Sequence, residues 1–466
     1  MSAPDLIHQL VEQFEQNKVH FKSLQFKETD TRVVFIDRFF AALGWDMTSP
    51  QQIVRELSVD VEENQRLKRK FPDYGFYIDR NLRFFVEAKA PHVDIKENKD
   101  AAFQVRRYGW SAKLPASILT DFEEFSIYDC RLKPANDDKP TEGRLRRYTY
   151  TEYVDKWDEI AELISYEAVR ANKLDEWVRD VKTRGIEEVD KAFLDEMEKW
   201  RVWLAKDIVL HNPHLQTNIR QLNMAVQLTI DRLVFLRICE DRDIELYGRL
   251  DDIRKSGGIY EQLKQFFLLA DQKYNSGLFH FSAEKGRDEP DTLTPTLHIS
   301  DEPLHNILKS LYPPASPYAF NVLPADILGQ IYERFLGKVV EVSASGAVEV
   351  VEKPEVRKAG GVFYTPTYIV DYIVTHTVGA LLQGKTPDEV SKLRILDPAC
   401  GSGSFLIGAF DLLIDWHLAY YVTDGAAKHL KARRIREIIR QQPSGAKMPD
   451  AMYRVPTNND PVGTPY

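Results

Sequence analysis

The apolar positions along this chain change their period several times. From Met1 to Gln16 they recur at three-and-four spacing among acidic residues, which predicts an amphipathic helix. Thr31 to Leu43 repeats that spacing and stops at Gly44, a residue suited to a helix end. Short apolar runs follow. Arg83-Phe84-Phe85-Val86-Glu87, Ala116-Ser117-Ile118-Leu119-Thr120 and Glu124 to Cys130 predict buried strands. Arg131 to Gly143, with Pro134, Asn136, Asp137, Asp138 and Pro140, predicts a surface loop. Helical spacing then dominates to residue 345. Val189 to Val209 and Ile219 to Ile238 are its clearest stretches, broken by Asn212-Pro213. Val340 to Lys358 is acidic and poor in large apolar residues, so a flexible link is expected. From Gly360 the order is helix, strand (Leu393-Arg394-Ile395-Leu396), glycine-rich turn and a helix from Ser404 to Tyr420. Gln441 to Tyr466 is rich in Pro, Asn, Gly and Asp without a period, and order is not expected there.

The chain has 466 residues, too many for one ordinary core. The changes of texture divide it into an α/β region over 1–160, an all-helical connector over 161–345 and a further α/β region over 346–466. No run of about 18 apolar residues is present, so no membrane span is expected. The first helix has neither the basic start nor the apolar centre of a secretory signal. Cys130, Cys239 and Cys400 are odd in number and far apart, which argues against a disulfide framework or a zinc site. A reducing, cytoplasmic setting follows. The net charge of −9 offers no global attraction to nucleic acid.

Two motifs carry chemistry. The first is Phe71-Pro72-Asp73-Tyr74 followed by Phe84-Phe85-Val86-Glu87-Ala88-Lys89. Strand alternation puts Glu87 and Lys89 on one face. Asp73 and Glu87 would bind Mg²⁺, which neutralises phosphate charge and activates water. Lys89 would orient or deprotonate that water. An acid in a buried strand is costly unless it has a task. The second is Asp397-Pro398-Ala399-Cys400-Gly401-Ser402-Gly403-Ser404-Phe405 at the carboxyl end of a strand, where nucleotide-like ligands bind. Its glycines let the backbone approach a ligand closely.

The second motif resembles the cofactor loop of amino-methylating DNA methyltransferases. Gly360-Gly361-Val362-Phe363-Tyr364-Thr365-Pro366 resembles the segment that precedes it in the adenine-directed class. The resemblance implies S-adenosylmethionine as cofactor, with Asp397, Ala399, Gly401 and Gly403 lining its pocket. Phe363, Tyr364 and Thr365 would contact its methionine part, and Phe405 would pack nearby. Cys400 is not expected to act as a nucleophile, because the adenine amine attacks the methyl group directly. The first motif resembles the PD-(D/E)xK nucleases, and Gln104-Val105-Arg106-Arg107-Tyr108 resembles the Gln-x-x-x-Tyr motif of restriction-subunit nucleases. There Gln104 and Tyr108 would help hold the site and the DNA. Glu28 and Asp30, before Leu43-Gly44-Trp45, also resemble the opening of those domains, although Asp30 also reads as a helix cap.

The order of parts resembles single-chain, type IIG-like restriction–modification enzymes. It implies a PD-(D/E)xK-like α/β nuclease domain, a helical connector and the start of a Rossmann-like S-adenosylmethionine-dependent methyltransferase domain. Double-stranded DNA is the implied partner. Arg66-Leu67-Lys68-Arg69-Lys70, Arg106 and Arg107 are expected phosphate contacts, and the basic run Lys428 to Arg440 a solvated face. Two alternatives stand beside this reading: a non-catalytic DNA-binding remnant, and a methyltransferase subunit completed by a partner chain that also supplies target recognition. The Asn/Asp-Pro-Pro-Tyr/Phe loop that grips a flipped base in these enzymes does not occur in the sequence. A C-terminally truncated enzyme, with methylation lost, is therefore expected. The 466-residue polypeptide should transfer no labelled methyl group from S-adenosylmethionine to DNA, and robust transfer would sink that expectation.

Overall fold

The computed structural model describes residues 3–55, 71–78, 81–274, 276–284, 289–324, 329, 331, 335–343, 347–353, 365, 367–400 and 403–423. It divides into two compact units, 1–47 with 56–364 and 48–55 with 365–466.

The first unit opens with helix α1 (Asp5–Gln16), whose Ile7, Leu10 and Phe14 are buried. A helical run follows: α2 (Glu28–Thr31), a π turn (Arg32–Ile36) and α3 (Asp37–Ala42). Gly44 ends it with φ 87°, a conformation that costs a residue without a Cβ little. The sheet contains β1 (Tyr74–Ile78), β2 (Asn81–Ala88), β3 (Ala116–Thr120), β4 (Glu124–Asp129) and β5 (Arg144–Thr149), neighbours in chain order. The β2–β3 pairing is parallel and the others are antiparallel. A parallel pair needs a crossover, and helix α4 (Lys99–Ser111) supplies it. A Cβ on Gly109 would lie 2.2 Å from Cys130 Sγ and 2.6 Å from Ser117 Oγ. Only glycine lets α4 come that close to β3 and its neighbour. The aromatic cluster of Phe14, Phe35, Phe39, Phe122 and Tyr153 packs the helical run against the sheet, with Phe35 stacked on Phe122 at 4.4 Å.

The same unit continues through α5 (Trp157–Ile164) into the long helices α6 (Val189–His211) and α7 (Ile219–Asp241). Their core includes Phe193, Trp200, Leu204, Leu233 and Leu236. Asn212 breaks the helices as expected: its side chain bonds both the Ile208 and the His298 carbonyl. Helix α4 docks into this core. Trp110 packs with Tyr318 at 5.6 Å, and its indole donates to the Glu187 carbonyl at 2.7 Å. Arg107 donates to the Tyr318 carbonyl.

The described residues of 340–358 correct the expectation of a flexible link, and with it the all-helical connector. Lys338–Val342 and Val348–Glu352 form an antiparallel hairpin, β6 and β7. Val340 and Val348 are buried in the helical core. The Asn223 side chain accepts from Val340 N at 2.7 Å and donates to Val340 O at 2.9 Å, an amide acting as a strand partner. The missed signal was alternation: Glu341 and Glu349 interleave with valines, and their charge masked a period of two.

In the second unit, helix α8 (Thr367–Val374) runs into a π turn (Thr375–Gly379) and packs against α9 (Ser404–Thr423) through Val370, Val374, Val378 and Ala409. Leu393–Leu396 is not a strand. Ile395 and Leu396 are exposed, Leu396 at 85%. Among the described residues this segment pairs with no strand, and Leu393 N instead donates to the Val390 carbonyl at 2.9 Å, closing the turn before it. Gln441–Tyr466 and the Lys428–Arg440 run lie outside the described residues. No described helix is long and apolar enough to cross a membrane.

Trp110 carries both a large apolar surface and a buried hydrogen bond. Replacing Trp110 with Ala should destabilise the protein by about 3–5 kcal/mol in urea unfolding. A loss under about 1 kcal/mol would show that the α4 docking contributes little.

Candidate active site

Asp73 immediately precedes β1, and Glu87 and Lys89 stand at and just past the end of β2. Both strands lead buried aromatic residues into the sheet, so the carboxylates arrive inside the protein. Asp73 is 3% exposed and Glu87 2%. Lys89 Nζ donates to Glu87 Oε1 at 2.6 Å and to the Ala88 carbonyl at 2.8 Å, with Glu28 Oε2 at 3.3 Å. Asp73 Oδ2 accepts from Ala88 N at 2.7 Å. Asp73 Oδ1 accepts from Arg32 Nη1 at 3.0 Å. Glu87 Oε2 is buried and has no hydrogen-bond partner among the described residues.

Gln104 reaches the same carboxylate. Its Nε2 donates to Glu87 Oε1 at 2.6 Å. Tyr108 does not join it. Its ring lies on Phe85 at 6.3 Å, in an apolar cluster with Ala112, Leu114 and Ala319. The pairing has a geometric cause. Four helical residues advance about 6 Å and two strand residues advance about 6.6 Å. Gln104 and Tyr108 on α4 therefore match Glu87 and Phe85 on β2, and the two ends of the Gln-x-x-x-Tyr motif meet different environments.

Electrostatics follow from that burial. Burial pushes the Glu87 carboxyl up from its ordinary value and Asp73 pushes it further, while Lys89 pulls it back. Burial likewise raises Asp73, with Glu28 adding to it and Arg32 and Lys89 opposing. Burial alone would lower Lys89, but Glu87 and Glu28 outweigh it and raise it. The centre is thus short of positive charge even with two cations beside it. A buried carboxylate oxygen without a described partner, beside a second carboxylate, makes Asp73 and Glu87 the candidate ligands for a divalent cation. Among the described residues no group of three or more His, Cys, Asp or Glu side chains is arranged to hold a metal.

Arg106 and Arg107 are not free for phosphate. Arg106 is 1% exposed and pairs with Asp138 at 2.7 Å, tying the 131–143 loop to α4. Arg107 is 9% exposed beneath the helical core. In sequence these two arginines read as phosphate contacts; the docking of α4 turns them inward. Arg66–Lys70 lies outside the described residues. Asp30 caps its own helix, accepting from Lys27 N at 2.9 Å. Arg32 belongs to neither sequence motif. The available signal was its place four residues after Glu28, on the same helical run.

In the second unit, Asp397 Oδ1 accepts from Ala399 N at 3.1 Å, which bends the chain. Gly403 N donates to Cys400 O at 2.7 Å, and Gly403 has φ 79°, with nothing within 4 Å of where a Cβ would sit. Helix α9 starts one residue later. Phe405 is half-buried against the α8–α9 apolar cluster. Thr365 is half-buried. Phe363, Tyr364 and Gly401 lie outside the described residues.

Residues 324–421 match the N-6 DNA Methylase family. The chain is homologous to the type II restriction enzyme and methyltransferase RM.Eco57I of Escherichia coli, 35% identical over 92% of this chain and 42% of that protein. A putative type II restriction enzyme and methyltransferase of Methanocaldococcus jannaschii, RM.MjaORFECS2P, is 23% identical over 88% of this chain and 42% of that protein. The chain thus spans less than half the length of these relatives. The crystal structure of the type IIG restriction endonuclease BpuSI aligns over 81% of this chain and 37% of its own, at 15% identity and a TM-score of 0.25, too loose to carry structural detail.

Raised carboxyls make stability depend on pH. The folded chain holds protons on Glu87 and Asp73 more tightly than the unfolded chain does. Their contribution is therefore full at low pH and is lost as pH rises from the ordinary carboxylate range through the raised values. Lys89 stays protonated in both states there and adds nothing. In magnesium-free buffer, the Tm of Glu87→Gln minus that of wild type should become more positive from about pH 5 to about pH 9. A flat difference would mean that the two carboxylates are not in conflict.

Proposed function

We propose that this chain is a restriction–modification protein in which the sheet of the first unit carries a Mg²⁺-dependent DNA endonuclease site and the second unit carries the cofactor loop of an adenine-N6 methyltransferase. One observation supports the nuclease reading above the others. Two buried carboxylates and a lysine converge at the ends of adjacent strands, and one carboxylate oxygen has no partner among the described residues. Homology to a type II restriction enzyme and methyltransferase supports the pairing of the two activities.

In this reading Asp73 and Glu87 hold the cation. When bound, Mg²⁺ supplies charge neutralisation at the phosphate and an activated water. The chain's own residues do the rest. Gln104 fixes Oε1 of Glu87, so the carboxylate cannot rotate away. Lys89 is held charged by Glu87 and Glu28. A charged lysine donates hydrogen bonds and stabilises anionic oxygen; it does not take a proton. Its part is to orient water and to answer charge on the phosphate, rather than to act as the base.

For the methyltransferase part, the Asp397 turn and the open backbone at Gly403 suit a ligand approaching main chain. Bound S-adenosylmethionine supplies the methyl group. Asp397, Ala399 and Gly403 would line its pocket, and double-stranded DNA is the proposed substrate of the nuclease part.

Mg²⁺-dependent cleavage of double-stranded DNA should fall on the order of 100- to 1,000-fold in Glu87→Ala and in Lys89→Ala, the range for losing one group of a preorganised site. Unchanged cleavage in both, with the fold intact by circular dichroism, would support a DNA-contact role instead.

A further inference from the structure

Arg32 stands outside the motif, yet it is the side chain that holds Asp73. It lies in the π turn of the first helical run, four residues after Glu28. Each of these two residues reaches one member of the motif. Glu28 Oε2 lies 3.3 Å from Lys89 Nζ, and Arg32 Nη1 donates to Asp73 Oδ1 at 3.0 Å. The charges are complementary: acid to lysine, arginine to acid. Stretches of π helix are rare and tend to occur at functional sites.

The guanidinium is held on several sides. Nη2 donates to the Asp73 carbonyl at 3.3 Å, so one arginine grips both the side chain and the main chain of one residue. Its plane lies over the Tyr74 ring at 4.8 Å. The Tyr74 hydroxyl in turn donates to Asp37 Oδ1 at 2.8 Å, on the same helical run. The other Asp73 oxygen accepts from Ala88 N on β2. Donors from two separate elements therefore fix the two oxygens, and the carboxylate plane cannot turn. A planar fork with several donors does this; an ammonium group does not. The Arg32 side chain is only 13% exposed. Burying an ion pair is weak evidence for stability, since a well-packed apolar residue often does as well.

We propose that Arg32 is a positioning residue that locks the Asp73 carboxylate in the orientation the cleavage site requires. The proposal rests on the nuclease reading of that site. Outer contacts of this kind typically set cation affinity and rate together.

The test uses the full chain with Arg32→Met and Arg32→Lys. Mg²⁺ binding is measured by calorimetry, DNA cleavage by kcat and KM, and folding by thermal melting. Arg32→Met should weaken Mg²⁺ binding and lower kcat by roughly 10- to 100-fold, with KM for DNA unchanged. Arg32→Lys should not restore either quantity. If Arg32→Met fails to fold, the Lys variant decides, because it keeps the charge and loses only the fork. Wild-type Mg²⁺ binding and kcat in Arg32→Lys would overturn the proposal, since charge alone would then suffice. Tighter Mg²⁺ binding in Arg32→Met would also overturn it, by showing that Arg32 competes for Asp73. A wild-type chain that neither binds Mg²⁺ nor cuts DNA would sink the nuclease reading itself, and this proposal with it.

Discussion

A carboxylate carried into the protein on a buried strand must have its charge answered, and Glu87 organises its surroundings around that need. β2 delivers it beside Asp73, a second buried acid. Lys89, two residues on, returns along the same face to pair with it. Gln104 crosses from α4 to take the same oxygen. These contacts satisfy Oε1 and leave Oε2 without a partner among the described residues. The site is thus assembled but short of positive charge, which is the condition a divalent cation relieves.

That arrangement depends on how α4 sits. Gly109 lets the helix approach the strands, since any Cβ would strike Cys130 and Ser117. The near match of four helical residues to two strand residues then sets Gln104 over Glu87 and Tyr108 over Phe85. The far face of α4 is no freer. Arg106 is committed to Asp138, and Arg107 and Trp110 reach the helical core. One helix therefore touches the candidate site with one side chain and the helical core with others. The site and that core share one helix, so the packing of the first unit runs from one to the other.

The helical run from Glu28 to Ala42 closes the site from another direction. Its apolar residues Phe35, Phe39 and Phe40 pack on the sheet. Its charged residues Glu28, Arg32 and Asp37 face Lys89, Asp73 and Tyr74. Motif residues on strands and their partners on a helix are distant in sequence, and only packing brings them within bonding distance.

Period and alternation in the sequence marked the strands around 83–87, 116–120 and 124–130, the long helices with their break at Asn212, and the shared face of Glu87 and Lys89. Period and alternation are local properties, and a residue two positions along a strand returns to the same face. The sequence also carried the methyltransferase motif, because Asp397 to Phe405 is recognisable as a string. Other features were decided only in three dimensions. Arg106 and Arg107 looked like phosphate contacts until docking buried them. Val340 to Glu352 looked like a linker until the valines between its acids found the helical core. Leu393 to Leu396 looked like a strand, but an apolar run becomes a strand only where others pair with it, and pairing is not a property of the run. Arg32 carried no motif at all; its place beside Asp73 follows from the packing of a helix against the end of a sheet, which no local pattern encodes.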